Sequence, residues 1–299
     1  MEFLLVSLLN GLSYGLLLFL LSAGLTVVFS LMGVLNFAHA SFYMLGAYLG
    51  FQISLWFAQF GGFWIALVLA PLAVGALGML VERHLLRAIH RRGQTAELLL
   101  TFGLAYLIAE AVQLLWGRSA LPFHPPASLE GALFSLYGSA FPAWRAFMMA
   151  LALAMLAAIA LTLRYTRVGL IVQAAFTHPH MVEALGHDVP RIFMWTFGAG
   201  TALAGLAGVI GGSAFVTEPG MAAAIGPIVF VIVVIGGLGS LPGAFIASMA
   251  VGFMQTFAVG LDFAVAGVSI AQAAPVLPFL AMVLVLLFRP SGLLGNRAD

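Results

Sequence analysis

The chain has 299 residues, 63% of them hydrophobic and 7% charged, with a net charge of +1. Soluble domains carry about 25% charged residues, so a water-soluble enzyme or globular binding module is excluded and the composition is that of a polytopic membrane protein. The near-neutral charge argues against a nucleic-acid partner, the absence of cysteine excludes disulfide and thiolate chemistry, and the absence of lysine (all 11 basic residues are arginine) excludes a Gly-Lys-Ser/Thr phosphate loop and a lysine Schiff base.

Residues 3–81 contain no charged side chain. A spanning helix needs about 20 apolar residues, so this run holds three spans, read at 4–29, 42–60 and 64–81. The Met1-Glu2 start lacks the basic segment of a cleavable signal, so the first helix is expected to be retained. Gly33-Val34-Leu35-Asn36-Phe37-Ala38-His39-Ala40-Ser41 interrupts the pattern, and Gly61-Gly62 is a turn. Residues 82–93 read as an extramembrane helix end stopped by Gly93. A fourth span follows at 96–116. The segment 117–142 holds four prolines and reads as an external loop.

The fifth span is expected at 144–163. A polar segment, 164–190, leads into the sixth, 192–213. Glu218-Pro219-Gly220 is a turn. From 226 to 260 two elements are expected, divided by Gly236-Gly237-Leu238-Gly239-Ser240-Leu241-Pro242-Gly243, and a last span runs over 275–288. The expected fold is all-α: a polytopic membrane protein of eight or nine transmembrane helices, some glycine-broken. It forms a single transmembrane domain over 1–299 with a cytoplasmic segment at about 164–190.

Sidedness follows from the positive-inside rule. If 82–93, 164–191 and 289–299 share one side, that side carries Arg83, Arg87, Arg91, Arg92, Arg164, Arg167, Arg191, Arg289 and Arg297. The other carries Arg118 and Arg145. This places 164–190 in the cytoplasm and, with three spans before Glu82, the N-terminus outside. A faint internal echo links residues 28–47 with 232–251. Each passes from β-branched residues through a glycine break into a small-residue helix, as repeats with discontinuous helices do.

Four constellations bear on function. Asn36, His39, Ser41 and Tyr43 place polar groups where broken backbone must be buried or line water. They form either a pathway element or a helix cap with an interfacial histidine. In the fourth span, Glu97 suits a helix N-terminus. Glu110 and Gln113, three apart, share a face that should point inward, because a mid-membrane carboxylate costs about 2.5–3.5 kcal/mol. That face serves either as interhelical glue or as a proton relay. Gly237 and Gly239 mark a broken helix or a plain turn. In the sixth span Gly200, Ala204, Gly208 and Gly212 recur every four residues, the spacing of backbone-to-backbone helix contact. No metal-ligand set, paired carboxylates or Ser-His-Asp set stands out, and no cofactor is expected.

Within the polar segment, Thr177-His178-Pro179 reads as a helix start with Thr177 as N-cap. Gly186 is a stop, and Pro190 begins the next element. Met181, Val182 and Leu185 are expected on one side of a helix of about two turns, too short to stand alone. It either folds back on its own membrane ends or docks on a cytoplasmic partner.

The chain resembles the permease subunits of branched-chain amino acid ABC importers. The resemblance rests on residues 33–39 and 41–48; Leu163-Arg164-Tyr165-Thr166-Arg167-Val168-Gly169; Glu183-Ala184-Leu185-Gly186; Ala204-Gly205-Leu206-Ala207-Gly208; residues 236–244; and Arg289-Pro290-Ser291-Gly292-Leu293-Leu294-Gly295. These occur in family order. The resemblance implies a coupling helix at about 174–188, with Ala174, Thr177, Pro179, Met181, Val182, Glu183, Ala184, Leu185 and Gly186 seated in a groove of a separate ATP-hydrolysing subunit. It also implies a homologous second permease, a periplasmic substrate-binding protein and a place in a bacterial inner membrane. The chain itself is then a non-catalytic pore subunit, carrying branched-chain or other hydrophobic amino acids or a related small polar solute. The chain departs from the family pattern at Leu170-Ile171-Val172, where basic residues are usual. The rival reading is a proton-coupled secondary transporter that uses Glu110 and His39.

Overall fold

A computed structural model describes residues 2–136, 139–261, 264–265 and 268–295. Met1 and Arg297, used above for the retained first helix and for sidedness, lie outside the described residues. The helices are α1 (Glu2–Met32), α2 (His39–Trp56) and α3 (Gly62–Val81), the last running through a π turn at Glu82–Leu86 into α4 (Arg87–Ile89). Next come α5 (Gln94–Trp116), α6 (Ala143–Tyr165), α7 (Arg167–Thr177), α8 (Pro179–Ala184) and α9 (Val189–Ala214). The chain closes with α10 (Met221–Gly236), α11 (Leu241–Leu261), α12 (Ile270–Ala273) and α13 (Leu277–Phe288).

Among the described residues six helices are long and apolar enough to cross a membrane: Phe3–Met32, Gly62–Ile89, Gln94–Trp116, Ala143–Tyr165, Val189–Ala214 and Leu241–Leu261. Helices α7, α10 and α13 are apolar but shorter. The 18 residues of α2 include His39, Ser41, Gln52 and Ser54, and most of the helix is buried. The all-α polytopic architecture therefore holds.

Two small antiparallel hairpins were not foreseen: β1 (Ala132–Leu136) with β2 (Ser139–Pro142), and β3 (Ala264–Val265) with β4 (Val268–Ser269). The first lies in the expected loop, where Phe134 and Phe141 face each other across the ladder and stack at 5.1 Å. Prolines there hid the pairing.

The helices gather into two compact units. One comprises Met1–Ser22, Pro125–Leu153 and Pro227–Asp299; the other comprises Ala23–His124 and Ala154–Gly226. In the first, α1 meets α11 through small residues. A β-carbon at Gly15 would lie 2.8 Å from Met249 Cε, and one at Gly252 would touch Gly15 Cα at 2.5 Å. Phe19 packs edge-on against Phe245, and the Arg145 guanidinium donates to Asn10 Oδ1 at 2.6 Å.

The second unit is built on α9. Its glycine ridge splits between two neighbours: Gly200 abuts Val28 of α1, whereas Gly208 and Gly212 abut Tyr43 and Ala47 of α2. Gly205 approaches Gly46 of α2 on one side and Val74 and Pro71 of α3 on the other. Further along, Gly198 faces Met79, and Thr201 fills the space a side chain at Gly78 would need. The spacing therefore marks close contact, as expected of small residues in lipid. Each half of the echo is a helix–break–helix, one in each unit.

The packing predicts opposite outcomes for two helical glycines. Gly208→Val pushes a branched side chain into the Tyr43 carbonyl and should lower stability by about 1–3 kcal/mol or more. Gly103→Ala on α5 meets open space and should be neutral or stabilising by up to about 1 kcal/mol. Thermal unfolding of the two variants in detergent, side by side, reads the difference.

Candidate functional site

The break after α1 turns back into the bundle. Gly33 ends the helix at φ +66°, its N–H bonded to Phe29 O at 2.9 Å. Asn36 then starts α2: its Oδ1 accepts from Ala38 N–H at 3.0 Å and its carbonyl accepts from His39 N–H at 3.1 Å. The imidazole of His39 lies beside Gly24, which is eight residues, or about 12 Å, up α1 from its end. Asn36, His39, Ser41 and Tyr43 are all at least 96% buried. Asn36 Nδ2 has no hydrogen-bond partner among the described residues.

What holds this backbone is Thr101 of α5, which sequence reasoning missed. Its hydroxyl, fully buried, accepts from Phe37 N–H at 3.3 Å and lies within donating distance of the Leu98 and Leu35 carbonyls, at 3.1 and 3.4 Å. Ser41 does not cap α2; its Oγ donates across to Ala105 O at 3.2 Å. Tyr43 packs away from the break, under Gly208 and Gly211 of α9.

The inward face of α5 is Glu97, Thr101, Leu104, Ile108 and Val112. That three-and-four spacing was the available signal for Thr101. It also corrects the expectation for the fourth span: Glu110 is exposed and Gln113 half-buried, because the inward stripe runs down the opposite side of the helix. Glu97 is 4% exposed and is joined to His90 Nδ1 at 2.5 Å.

Gly237 and Gly239 lie elsewhere, in the first unit. Gly237 faces the chain tail, where a β-carbon would lie 2.9 Å from Ser291 O. The last carbonyls of α10, Ile235 and Gly236, accept from the N–H groups of Leu293 and Leu294 at 2.8 and 3.0 Å. Thus the 236–244 and 289–295 motifs meet in space, and the tail satisfies carbonyls that a helix end leaves open. Ser240 caps α11 through Gly243 N–H at 3.1 Å.

The polar segment holds more helix than expected. Thr166 caps α7 by accepting from Gly169 N–H at 3.1 Å. Gly169 lets the chain fold against Thr162 and Leu163 at the end of α6. Since α7 continues to Thr177, that hydroxyl turns back to the Gln173 and Ala174 carbonyls, at 3.1 and 3.4 Å. Thr177 is therefore not the N-cap of α8; His178 takes the position with no side-chain bond. Gly186 ends the turn at φ +88°. Asp188 caps α9 by accepting from Arg191 N–H at 3.1 Å.

Val182 is buried with Ala175 and Val189, against Ile171, Ala174, Ile192 and Phe193. Met181 and Leu185 do not share its side: they are 65% and 79% exposed. Adjacent residues on a helix point about 100° apart, so Met181 turns away from Val182; Leu185, just past the last helical residue Ala184, follows Met181 outward. Thr177, Glu183, Ala184 and Gly186 are also exposed, and Pro179 is half-buried. The segment thus folds back through one side chain and leaves an apolar pair free. Arg87, ion-paired with Glu82, donates to Pro190 O at 2.7 Å, so residues 82–93 and the start of α9 lie on one side of the protein.

The family model for the branched-chain amino acid transport system permease component matches residues 7–286. The high-affinity branched-chain amino acid transport system permease protein BraD of Pseudomonas aeruginosa is 28% identical over 298 residues, covering 97% of this chain and 95% of that protein. LivH of Escherichia coli, a permease protein of the same description, is 29% identical over 302 residues, covering 96% and 94%. A probable branched-chain amino acid transport permease protein of Methanocaldococcus jannaschii is 27% identical over 296 residues, covering 94% and 90%. No solved structure matches the chain.

Thr101→Val keeps the shape and removes the hydroxyl that holds the break. It should cost about 1–3 kcal/mol, with Thr101→Ser close to wild type. Melting temperatures of the two variants in detergent check this; equal values would show that the break is held by other contacts.

Proposed function

Since this chain belongs to the branched-chain amino acid transport permease family, we propose that it is the pore-forming membrane subunit of an ATP-driven importer. The solute is a branched-chain or other hydrophobic amino acid, or a related small polar solute, carried into the cytoplasm across a bacterial inner membrane. One observation carries the reading: α8 is too short to fold alone, is anchored through Val182, and holds Met181 and Leu185 outward. An exposed apolar pair on the arginine-rich side of a membrane protein is a docking knob for another protein. The chain has no lysine for a phosphate loop; on this reading ATP is hydrolysed by a separate subunit docked there, and the chain is a non-catalytic permease subunit.

Around α8 the coupling residues are Ala174, Thr177, Pro179, Met181, Val182, Glu183, Ala184, Leu185 and Gly186, with Ala174 and Val182 as the inner anchor and the others as the contact. Asn36 is the strongest pathway candidate, because its Nδ2 is a buried donor without a partner among the described residues; His39, Ser41 and Tyr43 follow it in α2. A homologous permease completes the pore and covers the outward face of α5, where Glu110 stands among Leu99, Phe102, Tyr106 and Leu107. A periplasmic binding protein delivers the solute. The proton-coupled rival needs Glu110 and His39 on one path, but Glu110 faces out from α5 while His39 is buried at the head of α2.

Replacing Met181 and Leu185 together by Asp should leave membrane insertion and melting unchanged. Recovery of the ATPase subunit in pull-downs and ATP-dependent uptake should fall by about tenfold or more. Full recovery of the ATPase by that variant would refute the docking role. Uptake by the chain alone, driven by a pH gradient and lost in Glu110→Gln, would overturn the importer reading.

A further inference from the structure

A cavity of about 760 Å³ opens between α1, α6, α7 and α9, its lining residues all in the second unit. Its polarity runs one way along α9. His187, Asp188 and Arg191 stand at the cytoplasmic end, Trp195 comes next, and Ala199 and Leu203 line the deep end. From Arg191 to Leu203 is about 18 Å of helix, close to one leaflet of a hydrocarbon core about 30 Å thick.

The rim carries both signs. Arg191 Nε meets Asp188 Oδ2 at 2.7 Å, and the two side chains remain 76% and 48% exposed. A cation and an anion side by side above an apolar slot complement a head that carries a phosphate and an ammonium, with the phosphate on the guanidinium and the ammonium on the carboxylate. A purely anionic head would meet Asp188 unfavourably. A free amino acid has a zwitterionic head too, but 760 Å³ is the space of a much larger ligand. Trp195, 62% exposed beside this rim, is an amphipathic ring of the kind enriched at membrane interfaces.

We propose that this cavity holds one acyl chain of an aminophospholipid, its phosphoethanolamine head seated on Asp188 and Arg191. The lipid fills the slot behind α7, between the membrane helices and the coupling segment. This goes beyond the transport reading and does not depend on it.

Trp195 supplies the probe. The full-length protein in detergent is titrated with brominated-chain phosphatidylethanolamine or phosphatidylglycerol, and the Trp195 signal is isolated by difference against Trp195→Phe. The ethanolamine lipid should quench at a mole fraction about threefold lower, the size of preference an exposed ion pair gives. Ala199→Phe, at an exposed position, should fill the slot and abolish the preference. Asp188→Asn retains the oxygen that caps α9 and should bring the two lipids together even if the filled variant fails to fold. Equal quenching in the unmodified chain, preference for the glycerol lipid, or an undiminished preference in Ala199→Phe or Asp188→Asn would overturn the proposal. Release of bound brominated lipid by millimolar leucine would assign the cavity to a free amino acid and overturn it as well.

Discussion

Hydrocarbon offers no reward for burying a leucine, because lipid tails are as apolar as any core. Helices in this chain must therefore be held by contact itself, and α9 is where most of that contact is made. Its small residues bring the backbones of α1, α2 and α3 within touching distance, with Gly205 serving two helices at once. The long apolar side chains lie mostly elsewhere, on outward faces such as Leu107, Leu114 and Leu115 of α5. The polar head of α2 is tolerable only because this frame closes around it.

Broken backbone at membrane depth must find partners inside the protein, and the two breaks solve this differently. After α1, one side chain on a neighbouring helix does it: the Thr101 hydroxyl bridges Phe37 and Leu35. After α10, the tail does it, with Leu293 and Leu294 donating to the final carbonyls. The first solution leaves Asn36 Nδ2 without a partner among the described residues; the second ties the break into a latch.

Much of this was legible in the residues. Charge-free runs located the long helices, and the four-residue repeat of Gly200, Ala204, Gly208 and Gly212 announced close packing. Orientation around a helix axis was not legible. An inward carboxylate is the cheaper arrangement in lipid, yet Glu110 points out, since the stripe from Glu97 to Val112 already faces in. Met181 and Val182 are alike in hydrophobicity, but adjacent residues on a helix do not share a face. Thr177 has the position of a cap relative to Pro179, but the length of α7 turns its hydroxyl backward. Nor could two separate motifs reveal that the tail at 291–295 folds onto Gly236 and Gly237, because no local pattern encodes a long-range meeting.

The grip of α9 on α2 spans a long stretch of chain. Helix α2 ends at Trp56, and its main neighbour begins at Val189. A ribosome making this protein at about 5–20 residues per second releases α2 many seconds before α9 exists. During that interval the face of α2 that carries Tyr43, Gly46 and Ala47 lacks the glycines of α9 that later pack on it. The nascent chain must be sheltered by the insertion machinery, or hold α2 near the interface, until the glycine ridge arrives. The assembly of this protein is thus timed by α9, and a chain cut short before residue 189 leaves an unfinished core for quality control to find.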